Sequence, residues 1–244
     1  MSPSGQPVLQ EGRLQLAEYL QPTFFLDFTE PDVADFAQGL CREEDTPTAR
    51  AVALYYGVRD QIHYDPYDLR HSRSALQASS VLRKASGYCV AKAVLLAAVA
   101  RQQGIPSRLG FADVTNHLSS PRLREKMGTD LFIYHGYTEL HLAGRWVKAT
   151  PAFNLALCER FGVLPLEFDG SHDSIFHQFD RSGRRHMEYV RDHGHFADLP
   201  FDRLFAAYAR TYPNFFAQFA GDHDPQFSGG SSPEARRETV PQEK

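Results

Sequence analysis

A chain of 244 residues, 42% of them hydrophobic and 23% charged, is long enough for one large domain or two small ones around a sizeable core. Its formal net charge of -4 mixes both signs along the chain, which argues against nucleic acid as a partner, and nowhere do about 18 apolar residues follow one another as a membrane span requires. The three cysteines, Cys41, Cys89 and Cys158, are too scattered for a disulfide framework or a zinc knuckle, so free thiols in a reducing, cytoplasmic setting are expected.

The first residues, 1–12, and the last, 221–244, are polar and rich in Pro, Gly and Ser or in charge, and are expected to be disordered around a single domain spanning 13–220. The N-terminus carries neither the basic start nor the apolar run of an export signal. After a short apolar run, Pro31 opens a helix as a first-turn proline. Thr46 before Pro47 caps a second helix, in which Ala51, Leu54, Tyr55, Val58 and Ile62 recur at helical spacing. Residues 64–86 begin as a turn-rich connection and end in an apolar-periodic piece around Ala75, Leu76, Ala78, Val81 and Leu82.

The stretch 87–106, GYCVAKAVLLAAVARQQGIP, is apolar on every side between Gly87 and the Gly104/Pro106 stop, the pattern of a helix buried inside a domain. Cys89 stands in its first turn, where unpaired N–H groups and the helix dipole favour a thiolate and can hold an oxyanion. The period then changes from 3.6 to 2: SRLGFADV, LFIYHGYTELHL and RWVKAT read as strands, the last two joined by a tight turn at Ala143 and Gly144. TNHLSSPRLREKMGTD, between the first two, is a polar crossover with room for a helical turn. NLALCERFG and DRLFAAYARTYPNFF read as helices, and the histidine-rich segment between them, holding His172, His177, His186, His193 and His195, reads as a loop-rich surface. Its imidazoles and carboxylates have metal-ligand chemistry but no compact ligand spacing, so no metal or cofactor is expected. Helices first and strands after them argue an α+β fold with an antiparallel sheet.

A thiol nucleophile needs a base within hydrogen-bond reach and a third group to fix that base's tautomer. YYGVRDQIHYD, then GYC at the helix start, GIPSR, and HGYTELHLAGRWVKAT together resemble the transglutaminase-like superfamily of cysteine enzymes over about residues 47–154. The resemblance implies a papain-like core with the cysteine helix packed on the sheet, Cys89 as nucleophile and His135 as general base. Thr150 stands four residues after Trp146, where that family has its aspartate. A hydroxyl can accept a hydrogen bond from an imidazole but carries no full charge. Asp113, at the end of the strand expected beside that of His135, is a candidate substitute, with Thr150 or Asn154 as neutral alternatives.

The backbone N–H of Cys89 is the natural first oxyanion donor, with His71, Gln77 and Ser79 as candidates for the second. Tyr88, Tyr137 and His71 are candidate substrate contacts, while Glu139 and Trp146 read as structural, Trp146 in the core. The implied chemistry is thiol acyl transfer on a peptide or amide substrate, most simply hydrolysis. Crosslinking to an amine, a silent binding module that lost the aspartate, and a metal hydrolase built on the late histidines are the alternatives.

Overall fold

The structure is a computed structural model that describes residues 16–68, 72–117, 119–175, 182–183 and 186–212. The two ends expected to be disordered lie outside the described residues, as do His71 and His177. The order of elements is helix α1 (Pro31–Leu40), α2 (Pro47–Gln61), strand β1 (His63–Tyr64), α3 (Ala78–Lys84), β2 (Ser86–Gly87), α4 (Cys89–Gln102), β3 (Ser107–Asn116), α5 (Pro121–Met127), β4 (Leu131–Leu142), β5 (Arg145–Ala149), α6 (Leu155–Phe161), β6 (Met187–Phe196) and α7 (Phe201–Thr211). Short 3-10 turns at Glu18–Leu20 and Arg73–Leu76 complete it. This is an α+β fold of the expected kind: helices first, then an antiparallel sheet in the order β5-β4-β3-β6, with β1 and β2 as a separate parallel pair.

The helix starts follow from their first residues. Pro31 and Pro47 enter α1 and α2 at positions that need no backbone donor, and the Thr46 hydroxyl accepts the Ala49 N–H at 3.2 Å. Ser120 caps α5 in the same way, accepting from Leu123. Ala143 and Gly144 both adopt positive φ, +48° and +84°, the backbone of a two-residue turn whose twist matches the strands it joins.

Helix α4 is the axis of the domain. Every residue from Cys89 to Arg101 is buried, with the sheet on one side and α1, α2 and α3 on the other. Burying each of Val94, Leu95, Leu96 and Val99 is worth about 1.5–3 kcal/mol. Two hydroxyls stitch the helix to the sheet one turn apart: Thr138 of β4 donates to the Ala93 carbonyl at 2.8 Å and Ser107 of β3 to that of Ala97 at 2.7 Å. Where β4 runs closest to the helix it has no side chain. A Cβ on Gly136 would come within 2.9 Å of Val90 Cα, so this glycine allows the helix mouth to rest on the strand.

Two charged-type residues sit inside α4. Arg101 donates to the carbonyls of Gln21, Ser107 and Ala197, and burial lowers its pKa to about 10. Lys92 is wholly buried, and its Nζ donates to the carbonyls of Arg59 at 2.8 Å and Ile62 at 2.5 Å, which close α2. Burial drives its pKa well below the usual lysine range. A neutral amine has two N–H bonds, and both find acceptors here. The same two carbonyls accept from Asn154 Nδ2, at 2.6 and 2.8 Å, while Asn154 Oδ1 accepts the Tyr64 N–H at 2.7 Å.

The late histidine-rich segment departs from its expected loop character, because Met187–Phe196 forms β6, an edge strand hydrogen-bonded to β3. Its outer residues are mostly exposed and polar, so no apolar alternation marked it. Trp146 is likewise not a core residue. It lies half-buried with the Arg108 guanidinium 4.1 Å over its ring and His141 and Tyr19 against its edge. Arg108 also pairs with the buried Glu139 across the β3–β4 register, so Glu139 is an anchor between strands.

Two outcomes follow. Gly136→Ala should destabilise the fold by about 1–3 kcal/mol in urea titration, because the added methyl meets helix backbone and not a yielding side-chain end. Asn154→Ala should cost about 2–4 kcal/mol, through the orphaned Tyr64 N–H and the loss of bonds to two carbonyls, whereas Lys92→Met should be close to neutral or stabilising at pH 7. The folded Lys92 pKa lies below the unfolded one, so the unfolded chain binds the extra proton and stability rises with pH toward about 10.4. Lys92→Met should flatten that rise.

Candidate active site

Cys89 and His135 line one cavity. The cysteine is the first residue of α4 with Tyr88 as its N-cap, and the histidine sits on β4 immediately before Gly136. The approach that Gly136 permits therefore carries its neighbour to the thiol. The room left between them is about 40 Å³, enough for two or three waters. Its wall is aromatic and aliphatic, with Tyr64, Tyr88, Phe132, Tyr208 and Tyr212 prominent. Burial raises the hydroxyl pKa values of Tyr64, Tyr88 and Tyr208 far enough that they stay neutral.

Backbone N–H groups of Gly136, Val90 and Cys89 surround the Cys89 sulfur and pull its pKa down. Burial outweighs them and pushes the thiol up to about 11. The helix N-terminus, expected to raise the thiolate fraction, thus lowers the thiol pKa by less than burial raises it. The same N–H groups can face a negative charge beside the sulfur. Cys89 and Val90 offer two at the helix mouth, and Gly136 offers a third from the strand. That third donor was not anticipated, although a glycine within a strand next to a histidine is a mark of close backbone approach.

The other candidate residues are distributed as follows. Tyr88 lies in the cavity wall. Tyr137 does not, because β4 turns it over Gly110 of β3, where a Cβ would come within 2.2 Å of its ring. Gln77 donates to the Phe24 carbonyl and Ser79 to the Asp27 carboxylate, so neither serves as the second oxyanion donor. The Thr150 hydroxyl donates to the Ile175 carbonyl at 2.5 Å, and Asn154 is engaged at the α2–β1 junction.

Asp113 is buried as expected, but its carboxylate serves different partners. Ala112 is the residue that faces His135 in the register, and Asp113 Oδ1 accepts the Tyr134 N–H at 2.9 Å and meets His193 Nε2 at 2.6 Å. This replaces the expectation that it orients the imidazole directly. The regular register already pairs His135 with Ala112, and the bulge that follows in β4 brings the Tyr134 peptide to the acid. Among the other late histidines, His172 is exposed beside Asp169 and His186 is buried. No three His, Cys, Asp or Glu side chains converge among the described residues. Cys158 is buried packing in α6.

Three comparisons bear on this arrangement. The sequence profile of the transglutaminase-like superfamily matches residues 34–151. No curated protein matches the chain. Among solved structures, that of a "putative cysteine protease" from Cytophaga hutchinsonii is similar at 18% identity with a TM-score of 0.42, over 57% of this chain and 42% of that one. The chain therefore spans less than half of that protein's length. The cysteine of the buried helix and the histidine of the adjacent strand both lie inside residues 34–151, the part of the chain that matches the transglutaminase-like superfamily.

Proposed function

We propose that the protein is a thiol acyl-transfer enzyme that hydrolyses an amide or peptide bond through an acyl-enzyme on Cys89. The observation that carries this is the shared cavity of Cys89 and His135, with N–H groups of Cys89, Val90 and Gly136 around the sulfur. With its pKa pushed up to about 11, the thiol holds its proton at neutral pH until a base takes it. His135 accepts that proton as sulfur bonds to the substrate carbonyl carbon, and the carbonyl oxygen becomes an oxyanion facing the N–H groups. His135 then returns the proton to the nitrogen as the carbon–nitrogen bond breaks and the amine departs. In the second half, His135 takes a proton from water, the water oxygen bonds to the acyl carbon, and the acid leaves as the thiol is restored.

Water is the simpler second nucleophile, since the room at the site, about 40 Å³, holds two or three waters. The apolar, aromatic wall suits an acyl group with a hydrophobic side chain.

A second reading has one observation in its favour. The Thr150 hydroxyl donates to Ile175, and no carboxylate occupies the family's third position in the sequence, which fits a silent module that keeps the cleft as a binding site. Alkylation of Cys89, followed by peptide-resolved mass spectrometry with Cys41 and Cys158 as internal standards, separates the two. In the enzyme, Cys89 alkylates at pH 7–8 well above the rate set by a thiol pKa of about 11, and His135→Ala removes that excess. Equal slow rates in both proteins establish the silent module. On a peptide library the Cys89→Ala and His135→Ala variants should each lose about 10³-fold or more in kcat/KM. Unchanged hydrolysis in Cys89→Ala rejects the enzyme assignment.

A further inference from the structure

Between the register pairs Ala112↔His135 and Val114↔Phe132, β3 contributes one residue, Asp113, and β4 contributes two, Ile133 and Tyr134. The surplus residue, Tyr134, adopts φ +53°, a left-handed conformation that side chains other than glycine rarely take and that persists only where the surroundings hold it. It is the residue immediately before His135.

The surroundings hold it from three sides. Asp113 Oδ1 accepts its N–H at 2.9 Å, and the same oxygen lies 2.6 Å from His193 Nε2. The His193 ring stacks on the Tyr134 ring, with centroids 3.9 Å apart and planes 14° from parallel. Arg203 of α7 donates from Nε to the Tyr134 hydroxyl at 3.0 Å. The other bulge residue is fixed as well, because Ile133 donates its N–H to the Tyr212 hydroxyl, which in turn donates to the Leu131 carbonyl. The acid–histidine pair is secluded, with side-chain exposures of 10% for Asp113 and 6% for His193. Ordinary sheet pairing requires none of this. A buried carboxylate and imidazole are costly to desolvate, and a hydrophobic pair of similar volume would serve stability as well.

We propose that Asp113 and His193 are positioning residues that lock the left-handed Tyr134 peptide and thereby set the His135 ring against Cys89. The role rests on the thiol-enzyme reading. It also extends the functional constellation beyond the matched residues 34–151, to a histidine on the edge strand. Asp113 acts on the main chain that carries the imidazole, and His193 orients Asp113 while its ring supports Tyr134.

The test measures the rate of Cys89 alkylation by iodoacetamide against pH in the full chain, with His135→Ala defining the His135-independent floor. Asp113→Ala should lower the excess over that floor by between about ten- and a hundred-fold, the scale of a misplaced catalytic group. Asp113→Asn, which still accepts the Tyr134 N–H, should restore most of it. His193→Phe keeps the stacked ring without the hydrogen bond and should fall between them. It also serves where Asp113→Ala does not fold. A glycine needs no holding at positive φ, so in a Tyr134→Gly background the further loss caused by Asp113→Ala should shrink to about two-fold or less. Folded Asp113→Ala or His193→Phe proteins whose pH profiles superpose on the wild type overturn the proposal, even if their melting temperatures drop. A wild-type profile equal to that of His135→Ala overturns the thiol-enzyme reading instead, and the positioning role falls with it.

Discussion

The contact on which the structure turns is that between the mouth of α4 and the middle of β4, made at backbone distance because Gly136 has no side chain to hold Val90 away. A helix normally keeps its axis about a side-chain layer from a sheet. Here the glycine removes one side of that layer at a single point, and the Thr138–Ala93 bond one turn farther along fixes the approach. The result puts a thiol from the helix and an imidazole from the strand in one cavity, and adds a strand N–H to those of the helix terminus. The thiol, the imidazole and the N–H groups thus meet through one close approach.

A helix buried on every side has to satisfy whatever polar groups it carries. Lys92 and Arg101 do so with main-chain carbonyls and not with acids, which ties α4 to the ends of α2 and β3 and to the segments at Gln21 and Ala197. These bonds orient the helix as much as they stabilise it, since an unpaired donor in this core would cost about 1–3 kcal/mol. The seclusion that makes the core rigid also governs the thiol. Water exclusion raises the Cys89 pKa and, by the same low polarity, strengthens every N–H that would face a negative charge there.

The sequence was legible wherever local rules decide the outcome. Pro31, the Thr46–Pro47 cap, the Ala143–Gly144 turn and the unbroken apolar run after Cys89 each announced an element that the structure contains. The strand alternation placed β3, β4 and β5 and made the first two antiparallel neighbours. Edge strand β6 was missed because its outer face is solvated and its residues are those of a loop. Trp146 was placed in the core by its size, whereas Arg108 and the neighbouring rings cover it at the surface.

What the sequence by itself determined was the buried helix, the cysteine at its mouth and the order in which a histidine strand follows it, because capping, periodicity and family spacing are properties of contiguous residues. What only the tertiary structure decided was the use of the acids and amides around that pair. The unbroken register of β3 and β4 put Ala112 opposite His135, and just beyond it a single extra residue in β4 set Asp113 against the Tyr134 peptide and His193. The bulge depends on contacts from β6 and α7, about 60 and 70 residues away along the chain, and so leaves no local signature in the residues it displaces.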